Sequence, residues 1–155
     1  MASRRHNPPR GRYVENRVPV RVRFQEVDSL RVVWHGHYLS YFEDARVALG
    51  KAYGIGYHDL MAEGLTAPIV HASCDFFAPA RFDDELEVVA RLYERPSAKL
   101  EFYYEVWRRA DSTLLAAGET VQVFADHEGA LILTMPEFMR AFYGRWADSM
   151  VQTDE

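Results

Sequence analysis

The chain has 155 residues, 48% of them hydrophobic and 26% charged, with a formal net charge of −5. That length suits one domain with a core of ordinary size. The acidic balance argues against general nucleic-acid binding, which needs a basic surface, and no apolar run approaches the ~20 residues that span a bilayer.

The charge is uneven. Residues 1–23 hold seven arginines (Arg4, Arg5, Arg10, Arg12, Arg17, Arg21 and Arg23) against Glu15, a balance of +6. With a total of −5, residues 24–155 carry −11. The start, MASRRHNPPRGRYVENR, is basic but has no apolar h-region, so it is no secretory signal. Residues 1–16 read as a disordered, solvated basic tail. Cys74 is the only cysteine, so no intrachain disulfide forms and a cytoplasmic setting fits.

From Val18 the pattern alternates. Val18, Val20, Val22 and Phe24 face one way, and Arg17, Arg21, Arg23 and Gln25 the other, as in a half-buried strand. After DSLRVVWHGH, the residues Tyr38, Phe42, Ala45, Leu49, Ala52 and Tyr53 recur at intervals of three and four. That spacing predicts an amphipathic helix of about four turns, ended near Gly54 and Gly56. The segment YHDLMAEG suits one or two further helical turns.

Four strand-like runs follow: PIVHASCDFFAP, DELEVVARLYER, AKLEFYYEVWRR and TLLAAGETVQVFAD. Short links between consecutive runs imply antiparallel neighbours. TMPEFMRAFYGRW closes the folded part as a C-terminal helix with Pro136 at its start. The expected domain therefore covers residues 17–147, with 148–155 as a tail. One long helix and one antiparallel sheet must cover each other's apolar faces, which predicts an α+β fold with the sheet curled around the helix.

The chemistry concentrates between the first strand and the helix. Asp28 lies just past the strand, and SLRVVW is too short to carry the chain far. Asp28 therefore folds back towards the helix N-terminus, where free N–H groups and the dipole favour negative charge. The same N–H groups suit a polarised carbonyl oxygen. Gly36, without a Cβ, lets a substrate approach the backbone. A carboxylate beside a carbonyl-polarising helix end suits acyl-transfer hydrolysis, as nucleophile or as base. A plain helix cap is the rival reading of Asp28.

Other patterns carry less. On a helix, His35 and His37 would point roughly 200° apart and would not converge on a metal, and no second ligand cluster supports one. His71, Ser73 and Asp75 share one strand face in a row, not the converging geometry of a triad. Cys74 alternates with them and reads as a small core hydrophobe. YGIGYH lacks the spacing and the Lys of a phosphate loop.

The stretches VDSLRVVWHGHYLSYFEDAR, PIV and PARFDDELEV resemble the hotdog-fold acyl-CoA thioesterases. The likeness is to the 4-hydroxybenzoyl-CoA thioesterase type and to the acyl-CoA thioesterases linked to the Tol–Pal cell-envelope system. It covers roughly residues 17–143. The resemblance implies a sheet wrapped around one long helix, subunits paired through their sheets, and a homodimer or homotetramer. It places the catalytic carboxylate at Asp28 and the carbonyl-polarising N–H at His35, beside Gly36, with the His35 side chain assisting. It implies that CoA phosphates meet the turn ERPSAKL, at Arg95 and Lys99. Trp34, Tyr38 and Phe76, with Tyr41 and Phe77, are expected to build the acyl pocket. Arg31, with Leu30 before it, replaces the small residue usual in the family, which bears on the acyl group more than on the reaction. The implied partner is an acyl-CoA substrate, with no cofactor, no metal, no nucleic acid and no membrane span. The rivals are a hotdog hydratase or dehydratase, and a non-catalytic acyl-CoA-binding module.

Overall fold

The structure, a computed structural model, describes residues 7–153. In chain order the elements are β1 (Gly11–Arg21), a 3₁₀ turn (Phe24–Glu26), α1 (His37–Tyr53), α2 (Tyr57–Ala62), β2 (Leu65–Thr66) and β3 (Ile69–Phe76). β4 (Glu85–Tyr93), β5 (Lys99–Arg108), β6 (Thr113–Asp126) and β7 (Leu131–Ile132) follow. The chain finishes with α3 (Glu137–Trp146), a second 3₁₀ turn (Ala147–Ser149) and β8 (Val151–Thr153).

The strands form one 8-stranded antiparallel sheet in the order β2-β6-β5-β4-β1-β8, with β3 and β7 also on β6. The sheet wraps α1, the hotdog arrangement expected from the resemblance. Alternation explains why. On β5, Leu100, Phe102, Tyr104 and Val106 turn to the helix. Leu86, Val88, Ala90 and Leu92 do the same on β4. From α1, Tyr38, Phe42, Ala45 and Leu49 fill the concave face, and α3 adds Met139 and Phe142. Phe42 stacks on Tyr104 with ring centroids 4.5 Å apart and planes within 5°.

That stack sits on bare backbone. A Cβ at Gly118 of β6 would stand 2.7 Å from the Phe42 ring and 2.2 Å from the Ser73 carbonyl oxygen. Gly118 thus lets α1 come down on β6 while β3 pairs on the other side.

The convex face carries its own small cluster of Tyr13, Tyr93, Tyr103 and Ala117. Arg91 lies over the Tyr13 ring, 4.9 Å from its centroid, and pairs with Glu15 at 2.8 Å and Glu105 at 3.2 Å.

Several expectations need correction. The first strand starts at Gly11, so residues 11–16 are sheet rather than tail; residues 1–6 lie outside the described part. β1 is held on both sides, by β4 and by β8, and Arg12 pairs with Glu94 at 2.6 Å. β8 lies within the segment read as a C-terminal tail. The first strand also ends sooner than its alternation implied, because Phe24 enters the 3₁₀ turn and is 77% exposed. β3 pairs with β6 and not with its chain neighbour β4, whose free side is taken by β1.

Candidate active site

The site forms where β1 hands over to α1. Val27 and Val33 make an antiparallel bridge, and the chain between them is a tight loop. The Asp28 N–H donates to the Val32 carbonyl at 2.9 Å, and the Arg31 N–H donates to the Asp28 carbonyl at 2.9 Å. Asp28 Oδ1 accepts from the Leu30 N–H at 2.8 Å, an Asx turn. Arg31 takes up a left-handed conformation, with φ of 63°, to close the loop. Asp28 is half-buried and held in the loop that precedes α1.

Glu26 ties this loop to the helix. Its carbonyl accepts from the Trp34 N–H at 2.9 Å, and its Oε1 accepts from the Arg23 N–H at 2.7 Å and from the Tyr41 hydroxyl at 3.1 Å. Burial, with Glu26 beside it, pushes the Tyr41 hydroxyl pKa up. Nothing in the sequence pattern marks Glu26: it stands outside any periodic run. Tyr41 is accordingly a core residue bonded to Glu26 and does not line the pocket expected of it.

α1 starts at His37 behind Gly36, and no side chain caps it. The His37 N–H turns back to the Trp34 carbonyl at 3.0 Å. Among the described residues, the backbone N–H groups of His35 and Gly36 donate no hydrogen bond. They are the donors that a carbonyl oxygen at the helix mouth would meet.

Beside them is a pocket of about 280 Å³ whose lining includes His35, Tyr38, Phe76 and Phe77. His35 meets Phe76 edge-on at 6.5 Å between centroids, and Tyr38 meets Phe76 at 5.1 Å. Tyr38 is 3% exposed, and its hydroxyl accepts from the Ala80 N–H at 3.3 Å. Burial raises its pKa. The Val33 N–H donates to the Ala80 carbonyl at 2.9 Å, so the stretch before β4 clamps the helix mouth from below.

The structure thus brings His35, Tyr38, Phe76 and Phe77 together. Trp34 is placed elsewhere: its ring packs tilted against His35 at 4.9 Å and edge-on against His37 at 5.5 Å, lies across Gly36, and does not line this pocket. Asp28 stands at the loop outside the pocket lining.

Arg95 and Lys99 lie far from the mouth within one chain. They flank the turn after β4, a strand of 9 residues that spans roughly 30 Å at ~3.3 Å each, while the mouth lies at the other end of that strand. Arg95 donates to Glu101 at 2.8 Å and stacks over Tyr93 at 5.2 Å. His71, Ser73 and Asp75 form an exposed row on β3.

Residues 22–143 match the thioesterase-like superfamily. The acyl-CoA thioester hydrolase YbgC of Escherichia coli O6:H1 is 31% identical over 110 residues, covering 71% of this chain and 81% of that protein. A crystal structure of TT1821 from Thermus thermophilus shares the fold with a TM-score of 0.74 and 35% identity, over 83% of this chain and 97% of that one. The structure of Slr0204, a 1,4-dihydroxy-2-naphthoyl-CoA thioesterase from Synechocystis, has the same TM-score of 0.74 at 23% identity, over 83% of this chain and 95% of the other. The chain belongs to the thioesterase-like superfamily.

Proposed function

We propose that the protein hydrolyses an acyl-CoA thioester to the free acid and CoA at the mouth of α1. The observation that carries this is the uncapped helix start beside an apolar pocket, with a carboxylate on the adjoining loop. The thioester carbonyl oxygen sits against the His35 and Gly36 N–H groups, which stabilise the charge that develops on it. Asp28, with its second oxygen outside the Asx turn, attacks the carbonyl carbon or takes the proton of the attacking water. The His35 imidazole stands at the pocket wall, where it can assist the leaving thiolate. The acyl group enters the space beside Tyr38 and Phe76.

The active form in this reading is a homodimer or homotetramer paired through β3. Among the described residues one side of β3 has no partner strand, and Ile69, Val70 and Phe76 on it are exposed. Antiparallel pairing of β3 with a second copy reverses the two chains end to end. The turn bearing Arg95 and Lys99 in one copy then faces the same way as the helix mouth of the other, which suits a CoA nucleotide bound across the pair. A cytoplasmic setting is part of this reading and rests on the single cysteine.

One observation favours a second reading. The Asx turn gives Asp28 a structural job, as in a non-catalytic acyl-CoA-binding module. A hydrolysis screen across aliphatic and aromatic acyl-CoA thioesters decides between them. Thiol release that depends on the Asp28 carboxylate supports the enzyme; binding without turnover supports the module.

A further inference from the structure

The chain holds a second, larger pocket of about 460 Å³ that the chemistry at the helix mouth does not use. Its walls are the flank of α1, with Arg46 and Val47, the end of α2 with Leu60, and the sheet residues Leu100, Phe102 and Gln122. The lining is mainly apolar; its charged members are the cations Arg46 and Lys51 and the carboxylates Glu43 and Asp59, and of these Arg46 is pinned by the sheet. Arg46 Nη1 donates to the Tyr104 hydroxyl at 3.1 Å, and Tyr104 shares a 2.6 Å bond with Thr120. Among the described residues no carboxylate pairs with Arg46. A guanidinium carries five N–H donors and stays charged at any working pH, so most of its donors remain for a ligand.

The pocket lies in line with the helix mouth. Leu39, Glu43, Arg46, Val47 and Gly50 recur at helical spacing and form one stripe along α1. On β3, the strand beyond β6, Ala72 and Phe76 are exposed and Cys74 is only partly covered. Phe76 itself belongs to the pocket at the mouth. At a rise of about 1.5 Å per residue, Arg46 stands roughly 13 Å along α1 from His37.

We infer that an acyl channel runs along this stripe from the helix mouth into the pocket, selecting an extended aliphatic acyl group that ends in a carboxylate held by Arg46. The inference rests on the thioesterase reading and names the substrate class of that site. The apolar walls measure chain length, and the guanidinium reads the far end. Tyr104 and Thr120 hold the guanidinium in place, so little freedom is lost when the carboxylate arrives.

The test is a series of straight-chain acyl-CoA thioesters of rising length, with methyl or carboxylate ends, on the full chain. kcat/KM rises about fourfold per added methylene as the chain fills the channel. At the length that reaches Arg46, the carboxylate-ended substrate is preferred by about tenfold or more. Arg46→Met lowers the ratio of carboxylate-ended to methyl-ended kcat/KM by that factor, while Arg46→Lys restores part of it. A merely structural Arg46 would slow both end groups alike. Val47→Trp, at an exposed position on the stripe, lowers the ratio of long to short substrates. Rates independent of length, or an Arg46→Met effect equal for both ends, overturn the channel. Calorimetric binding of free mono- and dicarboxylic acids to the same variants reads the pocket by itself. End-group selectivity in binding with no thioester turnover would sustain the channel and overturn the hydrolysis. Its absence would overturn the channel whatever the turnover.

Discussion

The indole of Trp34 lies across Gly36 so closely that a Cβ at position 36 would stand 2.1 Å from a ring carbon. The three nearest atoms to that position all belong to the Trp34 ring, and Trp34 is 48% exposed, so its ring has room to swing away. In Gly36→Ala the indole therefore leaves, rather than the backbone. The melting temperature moves by no more than about 3 °C, while kcat falls because the helix mouth loses its cover and its neighbour at His35. Indole fluorescence in a background lacking Trp107 and Trp146 checks this: the emission shifts to the red. An unchanged spectrum with full activity would contradict it.

Asp28→Asn separates chemistry from turn geometry. An Asn Oδ1 accepts the Leu30 N–H as well as Asp does, so the Asx turn survives. Loss of the base or nucleophile lowers kcat by at least ~10²-fold, with the melting temperature held or raised. Asp28→Ala drops the turn bond too and costs about 1 kcal/mol of stability besides. Turnover of a good acyl-CoA by the Asn variant at near the parent rate would end the catalytic role.

Arg91 on the convex face is a stability residue. Its side chain is 16% exposed, and that of its partner Glu105 is 9% exposed. Removing the cation leaves carboxylates in a poorly solvated cluster of tyrosines, which costs about 3 kcal/mol. Arg91→Met is expected to show that loss in urea unfolding, and Arg91→Met with Glu105→Gln to recover part of it. A single-variant loss below ~1 kcal/mol would mean that the network is loose and solvated.

The pH dependence has a defined acid limb. Hydrogen bonds from Arg108, and then from Thr113, hold the Asp111 carboxyl at about 2, below its ordinary 3.8. A depressed carboxyl stabilises the fold above its unfolded pKa and loses that contribution as pH falls through the folded one. The window runs from about 4 down to about 2. Melting temperature measured across it should fall more steeply in the parent than in Asp111→Asn. Asp111 is exposed, so the difference is small and salt-sensitive. Parallel curves would refute the assignment.

The open side of β3 predicts assembly. His71 and Ser73 are exposed on the outer face of that strand, so His71→Lys with Ser73→Lys places charge where a second copy would pair. Light scattering should show the parent as a dimer or larger and the double variant as a monomer. A parent that is monomeric at micromolar concentration would remove the interface.

Much of this was legible from spacing. The apolar repeat from Tyr38 to Tyr53 located α1 to within a residue, and the run AKLEFYYEVWRR located β5. Both signals arise from one face packing on a core, which leaves a period in the sequence. The reach of β1 back to Gly11 left none, because GRYVENR owes its strand to pairing on both sides and to ion pairs such as Arg12–Glu94. β8 is short and depends wholly on β1. At the site, Asp28 and His35 stood out by type and position. Glu26 did not, since its role comes from Tyr41 meeting it across the fold. The pairing of β3 with β6 is likewise a fact of topology, silent in any local pattern.

Gly118 has a consequence for how substrate can enter. With the Phe42–Tyr104 stack resting on bare main chain, α1 has no clearance left on its inner flank and cannot move closer to the sheet to make room for a guest. The helix is a fixed rail. Whatever width a bulky acyl group demands is sought on the open-sided strand beyond it, from Ile69 to Phe76. Engineering for larger guests should alter that strand and leave the rail alone.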